Sequence, residues 1–260
     1  MTLLETQASL LREQLFRARW RIKQSNVLVV SEKEVGLKLA LRSLSRHRRQ
    51  LEEYIRHDPR FVPSLYPIKL SDDAPLVARL AADAASLVDV GPMAAVPGAL
   101  ADLMLEEMNI CGPRVRLVEN GGEIAASASI PLKVGLYAGR SPLSGKIGFT
   151  LSEADYPIGI STSSATVSHA LSFGEADAAV VFSDSAAVAD AAATSVCNAV
   201  TGKDIEASVQ AGLEAAEKND QVRGALIIRG LIVGRTGKLP QLMSINGDLS
   251  DMFRAAKMIL

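Results

Sequence analysis

Hydrophobic and polar residues alternate on both sides of a polar turn in residues 15–31, LFRARWRIKQSNVLVVS. The turn is Gln24-Ser25-Asn26. A period of two is typical of a strand that buries one face, so this stretch predicts a β-hairpin. From Glu32 to about His57, most apolar residues return at helical spacing, which predicts an α-helix. Asp58-Pro59 ends this helix, because the residue before a proline is disfavoured in a helix.

The rest of the chain shows further blocks of helical and strand-like pattern. Helices are predicted over residues 72–89, 93–108, 185–200, 205–218 and 249–259. Strands are predicted over 114–118, 123–137 with a break at Pro131, 146–151, 158–162, 178–183 and 223–233, the last as one strand or a pair. Because regular βαβ alternation is missing, this order favours an α+β fold over a doubly wound parallel sheet.

Composition and charge narrow the class of protein. The 260 residues are 48% hydrophobic and 4% aromatic, so the core must consist mainly of Ala, Val, Leu and Ile. The net charge of −1 gives no reason to expect a nucleic acid or an anionic membrane as a partner.

The charge is unevenly distributed along the chain. Residues 1–60 contain 13 Lys and Arg and 7 Asp and Glu, a net charge of +6, which leaves 15 and 22, a net charge of −7, for the remaining residues. The basic stretch RSLSRHRRQ, residues 42–50, fits either a phosphate-binding patch or a solvated helix face. The solvated face is the commoner outcome for a charged run on a helix.

Cysteines and terminal segments bear on the location of the protein. Cys111 and Cys197 show neither CxxC spacing nor the pattern of a disulfide framework, which predicts two reduced core residues. The N-terminal stretch MTLLETQASLLREQ lacks the apolar region of a signal peptide. We find no uninterrupted apolar run of about 18 residues that would predict a membrane span. The sequence therefore predicts a cytoplasmic protein.

The helix predicted over residues 185–200, SAAVADAAATSVCNAV, carries a carboxylate and a hydroxyl in an otherwise small and apolar sequence. Asp190 and Thr194 are four residues apart, so both side chains project from one face of the helix. Carboxylate and hydroxyl oxygens at this spacing suit a hard cation such as Mg²⁺. The alternative is a partly exposed Asp190 and a Thr194 hydroxyl that bonds back to its own helix.

Two other segments offer groups for a ligand. The stretch VENGGEI contains Asn120, Gly121, Gly122 and Glu123. Paired glycines let a backbone approach a ligand closely, but Asn-Gly is also a strong signal for a tight hairpin turn. The stretch GISTSSATVSHA contains Ser161, Thr162, Ser163 and His169. Its hydroxyls can hold phosphates or polar ring edges, although such stretches are as often ordinary loops.

In this order, the segments resemble the ApbE-type FAD:protein FMN transferases. That family carries D-x-G-G-I-A-K-G, then (N/A)-G-G-(D/E)-(I/L), then (S/T)-(S/T)-G followed by a histidine, and last a helix with D-A-x-A-T. The matching stretches here are DVGPMAA (89–95), NGGEI (120–124), STSS (161–164) with His169, and ADAAAT (189–194). The resemblance covers about residues 80–200, and it is closest to an uncharacterised cytoplasmic branch of the superfamily.

The resemblance implies a fold and a site. The fold would be an α+β, ApbE-like (T-fold-like) single domain over residues 1–260, with two similar halves of sheet and helix. The hairpin and basic helix of residues 1–60 would pack on one side of a core formed by residues 61–260. Asp190 and Thr194, with the backbone carbonyl of Ala94, would hold Mg²⁺ beside the pyrophosphate of FAD.

The remaining candidate residues take roles from the same resemblance. Residues 120–123 and 161–163 would bind FAD, and His169 and Asp190 would be catalytic. In the transferases a threonine hydroxyl of a target protein attacks FAD and AMP leaves. Attack by water would instead give FAD pyrophosphatase activity.

Departures from the family pattern keep other functions open. Ala95 stands where the family has its lysine, and Pro92 stands where it has its second glycine. The family's D-P-R-T-G is absent, and no acceptor sequence for self-flavinylation is present. A non-catalytic protein that binds a flavin or pterin therefore remains an alternative, as does an enzyme with a different small-molecule substrate on the same scaffold.

Overall fold

The structure is a computed structural model that describes residues 3–5, 15–139, 141–165 and 173–245. The α-helices of this part of the chain are α1 (Glu34–His57), α2 (Leu76–Ser86), α3 (Val96–Met108), α4 (Ala186–Ala199) and α5 (Ile205–Glu217). Its strands are β1 (Leu3–Glu5), β2 (Phe16–Ile22), β3 (Ser25–Ser31), β4 (Val115–Asn120), β5 (Glu123–Ala128), β6 (Leu132–Gly135), β7 (Ile147–Leu151), β8 (Ile158–Ser163), β9 (Ala178–Ser183), β10 (Val222–Arg229), β11 (Ile232–Gly237) and β12 (Gln241–Ser244).

The strands form two antiparallel sheets. The large sheet has eight strands in the order β11-β10-β9-β8-β5-β4-β3-β2, and the small sheet has four in the order β1-β6-β7-β12. Every pair of neighbouring strands in both sheets is antiparallel. The predicted α+β class is therefore confirmed.

The large sheet is built from two halves with the same order of elements. In the first half, the hairpin β2–β3 is followed by α1, α2 and α3 and then by the hairpin β4–β5. In the second half, the hairpin β8–β9 is followed by α4 and α5 and then by the hairpin β10–β11. The halves join where β5 pairs with β8, with Ala125 opposite Gly159. The predicted duplication of sheet and helix halves is confirmed by this topology.

The large sheet lies between a layer of helices and the small sheet. Strand alternation sends Val29 and Val118 into the cluster formed with α1, α2 and α3. It sends their neighbours Leu28 and Leu117 into the cluster that contains Phe149 of the small sheet. The halves therefore share one central sheet that is covered on both faces.

Residues 1–60 contribute directly to these layers. β3 pairs with β4, and α1 packs against α3. On the outer side of α1, Arg42, Arg49 and Arg56 are exposed and form no ion pair or hydrogen bond within the described residues. This exposure fits a solvated face and a phosphate-binding patch equally well.

Several predicted boundaries need correction. α2 begins at Leu76 rather than 72, and its N-cap residue is Pro75, whose ring fixes an extended entry into the helix. Pro131 divides residues 123–137 into two strands as predicted, but the second ends at Gly135 rather than 137. β12 was not predicted, since its residues are mostly exposed and show little alternation. The helix predicted over residues 249–259 lies outside the described residues.

None of the described helices is both long and apolar enough to cross a lipid bilayer.

Candidate functional site

Helix α4 is held between α3 and β8 at very short distances. A Cβ added to Gly98 of α3 would lie 2.3 Å from the carbonyl oxygen of Ala186, and one added to Gly159 of β8 would lie 2.2 Å from the carbonyl carbon of Ser185. Ser185 begins the helix as its N-cap and accepts a hydrogen bond from the Val188 N–H at 3.3 Å. The two glycines and the alanines of α4 thus allow the helix to enter the core.

Asp190 lies at the place where α4 meets both neighbours. Its side chain is buried, with the residue only 8% exposed. Oδ2 accepts a hydrogen bond from the Gly98 N–H at 2.9 Å, and Oδ1 accepts a longer one from the Ser161 hydroxyl at 3.4 Å. The alternative in which Asp190 is partly exposed is therefore wrong.

Thr194 lies one helical turn after Asp190 and is partly buried. Its hydroxyl makes no hydrogen bond within the described residues, so it does not bond back to α4 there. α4 and β8 run in the same direction, since Gly159 lies against Ser185 and Ser161 against Asp190. This register carries Thr194 toward the Ser163 end of β8.

The backbone segment that contains Ala94 adjoins the same helix. Ala94 is partly buried in the short 3-10 turn Pro92–Ala95, which packs against α4. Just after this turn, the Asn120 amide donates a hydrogen bond to the Pro97 carbonyl at 3.0 Å. Side chains from β4 and α4 therefore fix the two consecutive residues Pro97 and Gly98 at the start of α3.

Residues 120–123 form the tight turn between β4 and β5. Gly121 has a φ of 81° and Gly122 a φ of 132°, which other residues rarely adopt. The hairpin interpretation of this stretch is confirmed. Glu123 follows the turn, is buried, and places Oε1 3.5 Å from the Ser161 hydroxyl. The turn thus lies beside Asp190, because the Ser161 hydroxyl contacts both carboxyl groups.

Three buried carboxyl groups lie in and beside the site: Asp190 and Glu123 on the helix-facing side of the large sheet, and Glu119 on its other face. Burial raises the pKa of Asp190 well above its ordinary value, and the Glu123 carboxylate adds to the shift. Burial, followed by the charge of Glu119, raises the pKa of Glu123. Burial raises the pKa of Glu119 to about 7, although Arg19 lies 4.0 Å away. Within the described residues, neither Asp190 nor Glu123 contacts a lysine or arginine. Buried acids of this kind favour a bound cation or a proton.

The structure brings together most, but not all, of the predicted site residues. Ser161 and Ser163 occupy positions on the helix-facing side of β8, whereas Thr162 lies opposite Val180, a residue of the cluster facing the small sheet. Because successive strand residues alternate between faces, Thr162 lies on the face of the sheet opposite to Asp190. Thr162 therefore lies on the other face of β8 from the two serines, and its role in binding FAD stays a prediction. His169 lies outside the described residues.

Two further residues contact the site but were missed in the sequence. Gly98 donates its N–H to Asp190, and Asp102 of α3 is hydrogen-bonded to the start of α4. The available signal was an aspartate inside the apolar run VPGALADLML, in which Asp102 follows Gly98 by one helical turn. That spacing does not reveal which other helix the carboxylate reaches.

Comparison with known proteins places this architecture in a family. The model of the family described as AbpE bacteria matches residues 8–230. The chain belongs to the AbpE bacteria family. Among its relatives, the UPF0280 protein of Methanocaldococcus jannaschii is 39% identical over 245 residues, which cover 92% of this chain and 99% of the relative. The UPF0280 protein of Methanopyrus kandleri is 39% identical over 236 residues, which cover 90% of this chain and 95% of the relative.

Solved structures similar to this member of the AbpE bacteria family are ApbE proteins. The Pseudomonas stutzeri flavinyl transferase ApbE has a TM-score of 0.55 at 14% identity, with 86% of this chain and 94% of that chain covered. The ApbE protein of Thermotoga maritima has a TM-score of 0.54 at 12% identity, with 86% and 97% covered. At these identities the likeness shows a shared fold. The predicted resemblance to the ApbE superfamily is confirmed, and the name UPF0280 assigns no activity to the relatives.

Proposed function

We propose that the chain is a Mg²⁺-dependent enzyme that acts on the pyrophosphate of FAD. The observation that carries this proposal is the pair Asp190 and Thr194. One is a buried carboxylate at the junction of α3, α4 and β8, and the other a hydroxyl one turn later that forms no hydrogen bond within the described residues. The ApbE-like fold supports a flavin substrate, and the similar Pseudomonas stutzeri protein, a flavinyl transferase, supports the reaction class.

The donor atoms at the site suit Mg²⁺. The ion prefers hard oxygen ligands, and Asp190, Thr194 and the Ala94 carbonyl would supply a carboxylate, a hydroxyl and a backbone oxygen. Each Asp190 oxygen accepts one hydrogen bond and retains a second lone pair. When bound, Mg²⁺ would neutralise phosphate charge and polarise the phosphorus that is attacked. Asp190 would serve catalysis by holding the ion.

Other residues around Asp190 would bind the nucleotide. The backbone at Gly121 and Gly122 can approach a ligand closely, because no side chain covers it. Asn120 and Glu123 flank these glycines, and Ser161 and Ser163 supply hydroxyls from β8. Thr162 is left out of this set, because it belongs to the opposite face of the sheet. A catalytic role for His169 stays a prediction, as does a cytoplasmic location.

The reaction has two versions that differ in the attacking group. In transfer, a threonine hydroxyl of an acceptor protein attacks the FMN phosphorus, a phosphoester bond forms, and the bond to AMP breaks. The hydroxyl proton leaves to solvent or a base, and AMP departs. In hydrolysis, water attacks and the products are FMN and AMP. Both versions release AMP, which makes AMP the product to measure first.

The test is FAD titration of the metal-stripped protein with and without Mg²⁺, followed by chromatography for AMP and FMN. We expect AMP release that requires Mg²⁺ and falls at least about tenfold in Asp190→Asn and in Thr194→Val, since the first loses the negative charge at the metal and the second loses the hydroxyl oxygen. Asp190→Asn keeps an oxygen that can accept the Gly98 N–H, so the variant tests the charge more than the fold. Asp184→Asn, an exposed aspartate beside Arg223, is the matched control and should keep the activity. AMP release unchanged in Asp190→Asn would contradict the proposal.

A non-catalytic flavin- or pterin-binding protein is the second candidate. It is favoured by Ala95, which is fully buried where the family's lysine would contact the nucleotide, and by Pro92 in place of a glycine. This candidate requires tight FAD binding without AMP release and with little dependence on Mg²⁺. Mg²⁺ binding without FAD affinity would instead indicate a different small-molecule substrate.

A further inference from the structure

Asp102 of α3 holds the first turn of α4. Its Oδ1 accepts the Ala186 N–H at 2.9 Å, and its Oδ2 accepts the Ala187 N–H at 2.9 Å and the Ser185 hydroxyl at 2.8 Å. The first N–H groups of a helix have no partner within the helix, and a carboxylate there both accepts their hydrogen bonds and interacts favourably with the helix dipole. Asp102 therefore caps a helix that is 83 to 85 positions away in the sequence.

The same two helices are joined by a second, reciprocal cap. Asp190 of α4 accepts the N–H of Gly98, the third residue of α3. The two sets of bonds lie four residues apart on each helix, with residue 98 opposite 190 and residue 102 opposite 186. α3 and α4 thus run in opposite directions here. A carboxylate on each helix accepts hydrogen bonds from backbone N–H groups at the start of the other.

We propose that Asp102 is a positioning residue for Asp190. The importance of this role for chemistry rests on the proposed function, but the positioning itself does not. α4 packs through alanines, and a glycine lies against it on both sides, so few bulky side chains fix its position along its axis. A slide of one residue moves a helix by about 1.5 Å, enough to break the 2.9 Å bond from Gly98 to Asp190. The cap from Asp102 fixes that position.

Amide hydrogen exchange of Gly98 tests the positioning without any metal or substrate. Asp102 makes no side-chain contact with the Gly98 N–H, which reports only whether Asp190 is in place. In Asp102→Ala we expect Gly98 to exchange at least about tenfold faster by NMR. Faster exchange would not come from a weaker α3, because alanine is a better helix former than aspartate. Ser185→Ala, which removes one partner of Asp102 from outside α3, should give a smaller increase of the same sign.

Asp204→Ala is the matched control. Asp204 caps α5 through the Ala207 N–H at 3.1 Å, and α5 contributes no residue to the candidate site. The control should lose a comparable helix cap while leaving the Gly98 exchange rate unchanged. If Gly98 exchanges at the wild-type rate in Asp102→Ala, or equally fast in both variants, the positioning role is overturned. Should Asp102→Ala fail to fold, Asp102→Asn keeps one acceptor and should show the same effect more weakly.

Calorimetric titration with Mg²⁺ alone connects the positioning to the proposed function. We expect the Mg²⁺ affinity of folded Asp102→Ala to fall at least about fivefold, with Asp204→Ala equal to the wild type. Equal affinity in wild type and Asp102→Ala would overturn the role of Asp102 at the metal site. If the wild-type protein binds no Mg²⁺, the proposed function fails, and the exchange rate of Gly98 still decides the positioning.

Discussion

Glu119 is a residue whose buried surroundings conflict with the ordinary charge of its carboxylate. It is 2% exposed at the end of β4, on the face of the large sheet that points to the small sheet. Its Oε2 atom has no hydrogen-bond partner within the described residues, and the nearest cation, Arg19, is 4.0 Å away. Burial therefore raises its pKa to about 7 from an ordinary value of 4.5. A buried carboxylate with this pKa makes stability depend on pH.

The direction of this dependence follows from proton binding. Between about pH 4.5 and 7, folded Glu119 holds a proton that the unfolded chain has released, so stability falls as the pH rises through this window. In Glu119→Gln this loss should disappear, and the drop in unfolding free energy from pH 5 to pH 8 should shrink by up to about 3 kcal/mol. Urea unfolding at pH 5 and at pH 8 measures this change in unfolding free energy for the wild type and the variant. Glu53→Gln, an exposed position on α1, should behave as the wild type. A wild-type pH dependence in Glu119→Gln would show that this carboxyl group is not buried as described.

At the scale of elements, the contact between α3 and α4 depends on the absence of a side chain at Gly98. The Cβ of Gly98→Ala would meet the Ala186 carbonyl oxygen, a backbone atom that cannot rotate away. We expect the variant to lose about 1–3 kcal/mol of unfolding free energy, which exceeds the gain of up to about 1 kcal/mol in helix propensity. Chemical denaturation of purified Gly98→Ala gives this value directly.

Gly36 of α1 provides the matched control for that packing argument. Like Gly98, it is the third residue of its helix, but an added Cβ would meet the side-chain hydroxyl of Ser31 at 2.8 Å. The serine side chain can turn away, but it would give up its 3.1 Å hydrogen bond from the Lys33 N–H, so Gly36→Ala should lose stability but clearly less than Gly98→Ala. Equal losses in the two variants would mean that the close approach of α3 and α4 is not what Gly98 provides.

At the scale of the whole molecule, the two halves share their sheet and their helix layer. β5 pairs with β8 across the junction, and the reciprocal caps of Asp102 and Asp190 join α3 of the first half to α4 of the second. We therefore propose that the chain is a single domain. Scanning calorimetry should show one transition whose calorimetric and van't Hoff enthalpies agree. Two separate transitions, or loss of one half's near-ultraviolet signal before the other's, would contradict this.

The sequence by itself determined the features that depend on neighbouring residues. Alternation over residues 15–31 and helical spacing up to His57 predicted the first hairpin and α1, because strand and helix periods are local. The positions of Asp190 and Thr194 on one face of α4 followed from the same helical period. The motifs at residues 120–124 and 189–194 indicated the ApbE superfamily by themselves.

Only the tertiary structure decided which of these residues meet. Asp190 finds Gly98 and Ser161 at separations of 92 and 29 positions, and such contacts depend on strand order and helix packing that no local period encodes. Register across β8 separated Thr162 from Ser161, since a shift of one residue reverses the face. The link from Asp102 to α4 was invisible in the sequence for the same reason. The candidate site exists because two distant halves of the chain bring these groups together. The groups are buried there, so water cannot supply the hydrogen bonds that the protein does not provide.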